Sequence, residues 1–222
     1  MIYLGGGGSS TDEENVFRAV FQSPPQRIII WPFAQPETRW PGIKTWVQES
    51  VAPFGDFPSI GIGKEPGFGL DEADIIVIPG GNTFALLNYL QERGLVEQLR
   101  DFAQSGGTVY GGSAGAIILG ADIEICDAGK GGMDNNEVGL KDASELGLLG
   151  GCVVHPHYEE SWREHCERWS VEKGVVVIGI PERGGLTVGE EGKAVNLGPE
   201  DVWLFEAGVG ERWAMGEERM MK

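Results

Sequence analysis

Residues 109–120 read Val-Tyr-Gly-Gly-Ser-Ala-Gly-Ala-Ile-Ile-Leu-Gly, so Gly111-x-Ser113-x-Gly115 sits where a β-branched run gives way to small and apolar helix formers. A serine on such a strand-to-helix turn is a candidate nucleophile. The turn leaves no room for a Cβ at Gly111 or Gly115, and it lifts the Ser113 hydroxyl out at the carboxyl edge of a sheet. In a chain with 36 glycines the pattern alone carries little weight, because tight turns produce it by chance. A second glycine turn strengthens it. Residues 75–83 read Ile-Ile-Val-Ile-Pro-Gly-Gly-Asn-Thr: a buried-strand run ends in Pro79-Gly80-Gly81, Asn82 or Thr83 can cap the helix that follows, and free N–H groups of the turn can form half of an oxyanion hole.

A serine nucleophile needs a base, and the chain has three histidines, His155, His157 and His165. The first two lie in Val-Val-His155-Pro-His157-Tyr, directly after a strand, where side chains reach the same sheet edge as Ser113. His157 is favoured, since Pro156 forces an extended approach and the histidine after it begins the loop. His165 falls in the middle of a charged helix and is expected to be solvated. The third member must be a carboxylate that orients the imidazole. Glu182 leads by position, two residues past the end of a strand expected to neighbour the histidine strand. Asp127, Asp134 and Glu159 are rivals, because the acidic loop over residues 122–137 can fold over the site.

Bulk properties frame these candidates. A chain of 222 residues with 41% hydrophobic and 23% charged residues suits one α/β domain over residues 1–222 with a full core. No apolar run approaches the roughly 20 residues that span a bilayer, and the start, Met-Ile-Tyr-Leu-Gly, has no basic segment leading an apolar one, which predicts a cytoplasmic protein without a membrane partner. The net charge of −17 argues against nucleic acid, whose phosphates demand a basic patch. An acidic substrate would need a local cation to overcome this field. Cys126, Cys152 and Cys166 are expected to be free buried thiols. No His-Glu-x-x-His or comparable spacing suggests a metal.

Short apolar runs alternate with amphipathic stretches, the rhythm of a parallel sheet. Strand-like runs fall at residues 2–4, 27–32, near 60, and at 75–78, 108–110, 152–154 and 175–180. Helical spacing covers residues 12–21, 38–51, 83–91, 96–104, the segment from 114, and 161–173. Residues 121–151 read as a long glycine-rich and acidic loop near the active face. Segments 186–188, 194–197 and 202–205 look like a small antiparallel extension. The predicted architecture is therefore α/β, a three-layer doubly wound and mostly parallel sheet with helices on both faces. The run Gly5-Gly6-Gly7-Gly8 follows a strand and precedes a helix, yet it lacks a clear Gly-x-Gly-x-x-Gly and no acidic residue closes the second strand, so no dinucleotide cofactor is expected.

The order Ser113, His157, Glu182 differs from that of the α/β-hydrolases, where the acid precedes the histidine. Together with Pro79-Gly-Gly-Asn-Thr83, Gly112-Ser-Ala-Gly-Ala116, Pro156-His-Tyr158, Ile178-Gly-Ile-Pro-Glu182 and Val202-Trp-Leu-Phe-Glu-Ala-Gly208, it resembles the peptidase E family of serine peptidases, which includes aspartyl dipeptidases and cyanophycinases on a fold like that of class I glutamine amidotransferases. The resemblance implies Ser113 as nucleophile, His157 as base, and backbone N–H groups of Gly81 and Ala114 for the oxyanion. Glu182 matches the acid of the cyanophycinase branch, whereas the dipeptidase branch directs attention to Asp127, and the choice stays open. Serine at the elbow argues against glutamine ammonia transfer.

In aspartyl dipeptidases an arginine after the histidine loop holds the substrate's aspartate carboxylate, and the nearest match here is Arg163. The connection looks shorter than theirs, and an ordinary helix ion pair with Glu159 or Glu167 competes for the guanidinium. Asn82 is a second candidate substrate contact. The implied activity is hydrolysis of small peptides through an acyl-enzyme, either aspartyl dipeptidase-like or broader, with carboxypeptidase character as an equal alternative. A cyanophycinase-type hydrolase and a non-catalytic binding module are the competing readings. Neither cofactor nor metal is expected, and a homodimer is left open.

Overall fold

The computed structural model describes residues 1–22, 27–143 and 146–221. Its first half runs β1 (Ile2–Gly5), α1 (Glu14–Val20), β2 (Ile28–Ile30), α2 (Trp40–Val51), β3 (Ile60–Ile62), β4 (Ile75–Ile78), α3 (Thr83–Glu92), α4 (Leu95–Gln104), β5 (Thr108–Gly112) and α5 (Ala114–Leu119). The second half runs β6 (Val153–Pro156), α6 (Arg163–Lys173), β7 (Val177–Ile180), β8 (Gly185–Val188), β9 (Lys193–Asn196), β10 (Val202–Glu206), β11 (Val209–Trp213) and β12 (Glu218–Met220).

Two sheets result. The larger has the order β12-β9-β8-β1-β5-β4-β2-β3, in which β1, β5, β4, β2 and β3 are mutually parallel and β8, β9 and β12 continue it antiparallel. The smaller has the order β11-β10-β7-β6, with β6 and β7 parallel. The aliphatic strands read as continuous apolar runs because both of their faces are covered. Alternation sorts their side chains: Ile28, Ile30, Ile75, Val77 and Tyr3 pack with Phe17, Val20 and Val47 of α1 and α2, while Ile29, Ile76, Ile78 and Leu4 pack towards α3 and α5. The smaller sheet is sorted likewise. Val154, Ile178 and Ile180 face the central core, and Val153 and Val177 face Trp169 and Cys166 of α6. Each fully buried isoleucine contributes about 1.5–3 kcal/mol relative to exposure, so the triplet Ile28–Ile30 is a major anchor of the sheet.

The mostly parallel α/β sheet flanked by helices agrees with expectation, but the histidine strand does not join it. Strands β6 and β7 form a layer of their own, extended by β10 and β11, and only β8, β9 and β12 form the antiparallel continuation of the main sheet. Period and apolarity are the same for a strand in either sheet, so pattern cannot assign it. The stretch 121–151 is more built than expected. It carries 3-10 turns at Ile123–Cys126 and Ala128–Lys130, and the N–H groups of Leu146 and Leu148 bond back to Ile118 and Leu119 of α5; residues 144 and 145 lie outside the described residues. Among the described residues no helix is long and apolar enough to cross a membrane, and Cys126, Cys152 and Cys166 are free and buried.

Candidate active site

Ser113 joins β5 to α5 with φ 52° and ψ −115°, a left-handed conformation that an L-residue adopts at a cost of about 1–3 kcal/mol. The surroundings impose it. A Cβ on Gly111 would fall on the Gly115 carbonyl, and one on Gly115 would fall on the carbonyl of Ile78 in β4. The turn is held from both sides: the Ser113 N–H donates to the Gly5 carbonyl at 3.3 Å, and the Ser113 carbonyl accepts from Ala116 and Ile117 at 2.8 and 3.0 Å. The hydroxyl is thereby left at the carboxyl edge of the parallel strands.

His157 and Glu182 arrive there from the smaller sheet. Strands β6 and β7 run parallel with Val153 opposite Val177 and Pro156 opposite Ile180, so the loops leaving them emerge side by side. His157 also has a positive φ of 51°, and its N–H donates to the Gly6 carbonyl at 2.9 Å, tying the smaller sheet to the glycine loop after β1. The Ser113 Oγ lies 2.9 Å from His157 Nε2, and His157 Nδ1 lies 3.0 Å from Glu182 Oε1. Hydroxyl, imidazole and carboxylate are in line. Gly7, at φ 94°, passes so close that a Cβ there would meet the His157 ring and the Ser113 Cβ.

The other candidates stand elsewhere. His155 is 1% exposed, with neither ring nitrogen partnered among the described residues, and burial pushes its pKa down to about 4. His165 corrects the expectation of a solvated side chain: it is buried, and its Nε2 bonds the Ile125 carbonyl at 3.0 Å, since the 3-10 turn Ile123–Cys126 covers this face of α6. Asp127 caps the next 3-10 turn, accepting from the Gly129 N–H at 2.9 Å. Asp134 accepts from the Thr83 N–H at 2.8 Å, and Glu159 precedes the turn Glu160–Trp162 and is exposed. The acidic loop thus docks on the start of α3 beside the Pro79-Gly80-Gly81 turn.

Asn82 acts as the helix cap that its position suggested. Its Oδ1 accepts from Ala85 at 2.8 Å, and its Nδ2 donates to the Asn135 carbonyl at 2.9 Å. Gly81 precedes it at φ 149°, and Ala114 opens α5 immediately after the serine. Arg163 is engaged with Glu160 and, at 3.3 Å, with Glu167, and it lies 4.4 Å over the ring of Trp203. The expected partner Glu159 is replaced by Glu160, which the tight turn Glu160–Trp162 brings three residues before the arginine.

A cleft of about 580 Å³ opens over Ser113 and His157, walled by Ile43, Trp46 and Gly80 and edged by Thr38 and Arg39. Its floor holds a residue that sequence reasoning missed. Glu13 is 2% exposed, accepts the Gly7 N–H at 2.6 Å and the Tyr110 hydroxyl, and is driven by burial to a pKa of about 7. Helical spacing could have revealed it, since Glu13 lies three and four residues before the buried Val16 and Phe17 and shares their face. Nothing in the local sequence marks Arg39. Among the described residues no group of His, Cys, Asp or Glu is arranged to hold a metal.

The model of peptidase family S51 matches residues 1–195. The chain belongs to peptidase family S51. It is 29% identical over 190 residues to peptidase E of Salmonella typhi, covering 80% of this chain and 79% of that one, and 30% identical over the same length to peptidase E of Salmonella paratyphi C. Its fold is shared with a crystal structure of a peptidase from an acI-B1 actinobacterium (TM-score 0.72, 18% identity, 99% of this chain and 96% of that one). A candidate peptidase E protein of Listeria monocytogenes EGD-e has the same fold (TM-score 0.64, 19% identity, 96% and 98%). This S51 chain is a serine peptidase, a hydrolase of peptide bonds.

Proposed function

We propose that the chain hydrolyses short peptides through a Ser113-His157-Glu182 triad and an acyl-enzyme. The observation that carries this reading is the continuous contact from Ser113 Oγ to His157 Nε2 at 2.9 Å and from His157 Nδ1 to Glu182 Oε1 at 3.0 Å. His157 Nε2 takes the hydroxyl proton as Ser113 Oγ attacks the peptide carbonyl, and Glu182 holds the ring and favours its charged form. The backbone N–H groups of Gly81 and Ala114 receive the oxyanion. The C–N bond then breaks, His157 returns the proton to the leaving amine, and a water activated by the same imidazole releases the acyl group.

The cleft volume of about 580 Å³ suits a di- or tripeptide. With Arg163 engaged by Glu160, Glu167 and Trp203, a dependence on amino-terminal aspartate through that arginine has no support, and broader short-peptide specificity is the better reading. The test incubates the protein and its Ser113→Ala variant with a mixed library of di-, tri- and longer peptides and reads products by mass spectrometry. Cleavage of short peptides by the parent alone is expected; equal cleavage by both proteins, or confinement of cleavage to long chains, defeats the reading.

A further inference from the structure

Arg39 ends the 3-10 turn Glu37–Arg39 that leads into α2 and lines the cleft that contains Ser113 and His157. The chain carries 34 acidic residues against 17 lysines and arginines, and its arginines are engaged accordingly. Every other arginine among the described residues stands within 4.0 Å of a carboxylate oxygen. Arg39 has no such partner among them. The nearest acid in sequence, Glu37, is held by Lys64, and the acid of the cleft, Glu13, is committed to Tyr110 and the Gly7 N–H.

A guanidinium without a carboxylate partner among the described residues, on the rim of a catalytic cleft in a protein whose net charge of −17 repels anions, has a function to supply. We propose that Arg39 is a specificity-determining residue that receives a carboxylate of the bound peptide, an inference that rests on the peptidase reading of Ser113. The planar fork of the guanidinium matches a carboxylate with two parallel hydrogen bonds, which a neutral amide at the same place cannot reproduce. Two carboxylates of a short peptide have this chemistry: the side chain of an acidic first residue and the free carboxyl terminus. In either case Arg39 fills the recognition role for which sequence spacing had suggested Arg163.

The experiment compares kcat/KM of the parent, Arg39→Gln and Arg39→Lys on Asp-Leu, Asn-Leu and their carboxyl-terminal amides, with labelling of Ser113 by a fluorophosphonate as a separate readout of the catalytic machinery. The expected result is normal labelling of Arg39→Gln with a loss of about tenfold or more, mostly in KM, on peptides bearing the recognised carboxylate, and partial recovery in Arg39→Lys. Loss on both Asp peptides but neither Asn peptide assigns the side chain; loss on both free acids but neither amide assigns the terminus. Identical kinetics of parent and variant on all four, a uniform loss on all four, or a labelled parent inert on all four overturns the role of Arg39 alone. A parent neither labelled at Ser113 nor active overturns the peptidase reading, and this inference with it.

Discussion

The larger sheet delivers the proposed nucleophile from a turn so cramped that the backbone itself holds the geometry, whereas the smaller sheet delivers the proposed base and acid from the ends of two parallel strands whose loops are anchored by long-range contacts. Ser113 is fixed by neighbours within a few residues and by the adjoining β1 and β4. His157 depends on the carbonyl of Gly6, more than 150 positions away along the chain, and on β6 and β7 staying in register. The two regions therefore differ in how damage spreads. A change at the elbow acts on chemistry directly, and a change at the joint between the sheets acts through the position of the imidazole.

The largest effect expected is at the proposed nucleophile. Ser113→Ala lowers kcat/KM by about a thousandfold or more while leaving the melting temperature near that of the parent, checked by steady-state hydrolysis and thermal denaturation. On the other side, Glu182→Gln is expected to lower kcat by about a hundredfold to ten-thousandfold through loss of imidazole orientation, with Asp127→Asn within about twofold of the parent. The reverse ranking would move the triad acid to the acidic loop.

The joint is probed by Gly7→Ala. The added methyl group presses on the His157 ring and sits at a positive φ, so a stability loss of about 1–3 kcal/mol and a fall in kcat of about tenfold or more are expected from denaturant titration and kinetics. An unaffected kcat would show that the imidazole does not need the glycine loop. Glu13, on the floor between these regions, predicts a pH effect on stability. Its folded pKa of about 7 lies above the ordinary 4.5, so the native state binds the proton more tightly than the unfolded one. Its contribution is at its best below pH 4.5, and stability falls as pH rises to about 7, by about 3 kcal/mol at roughly 1.4 kcal/mol per pH unit. Glu13→Gln flattens that slope; an unchanged slope would place the titration elsewhere. The smallest effect belongs to Arg163→Gln, expected to cost about 1 kcal/mol of stability through lost contact with Trp203 and to leave kcat/KM within about twofold.

The elbow was legible because its requirements are local. Gly111, Ser113 and Gly115 are spaced for one turn, and Asn82 announces the helix that it caps. The pairing of β6 with β7 was legible through chain order, which put Glu182 two residues beyond a strand adjacent to the histidine strand. The separate sheet was not, since a run such as Val-Val-His-Pro has the same apolar alternation whichever sheet accepts it. His165 looked solvated from its charged neighbours in sequence, but the burying surface comes from Ile125, 40 positions away.

Composition and spacing by themselves determined an acidic α/β chain with a serine elbow, a glycine turn beside it, and a histidine and a glutamate each just past a strand. These are consequences of backbone sterics and of burying apolar runs, which act over a handful of residues. Only the tertiary structure decided that the histidine strand lies in a second sheet, that Glu13 is sealed beneath the cleft at a pKa of about 7, and that Arg163 is engaged while Arg39 has no carboxylate partner among the described residues. Desolvation and ion pairing depend on what the rest of the chain brings within a few ångströms, and no local pattern encodes that proximity.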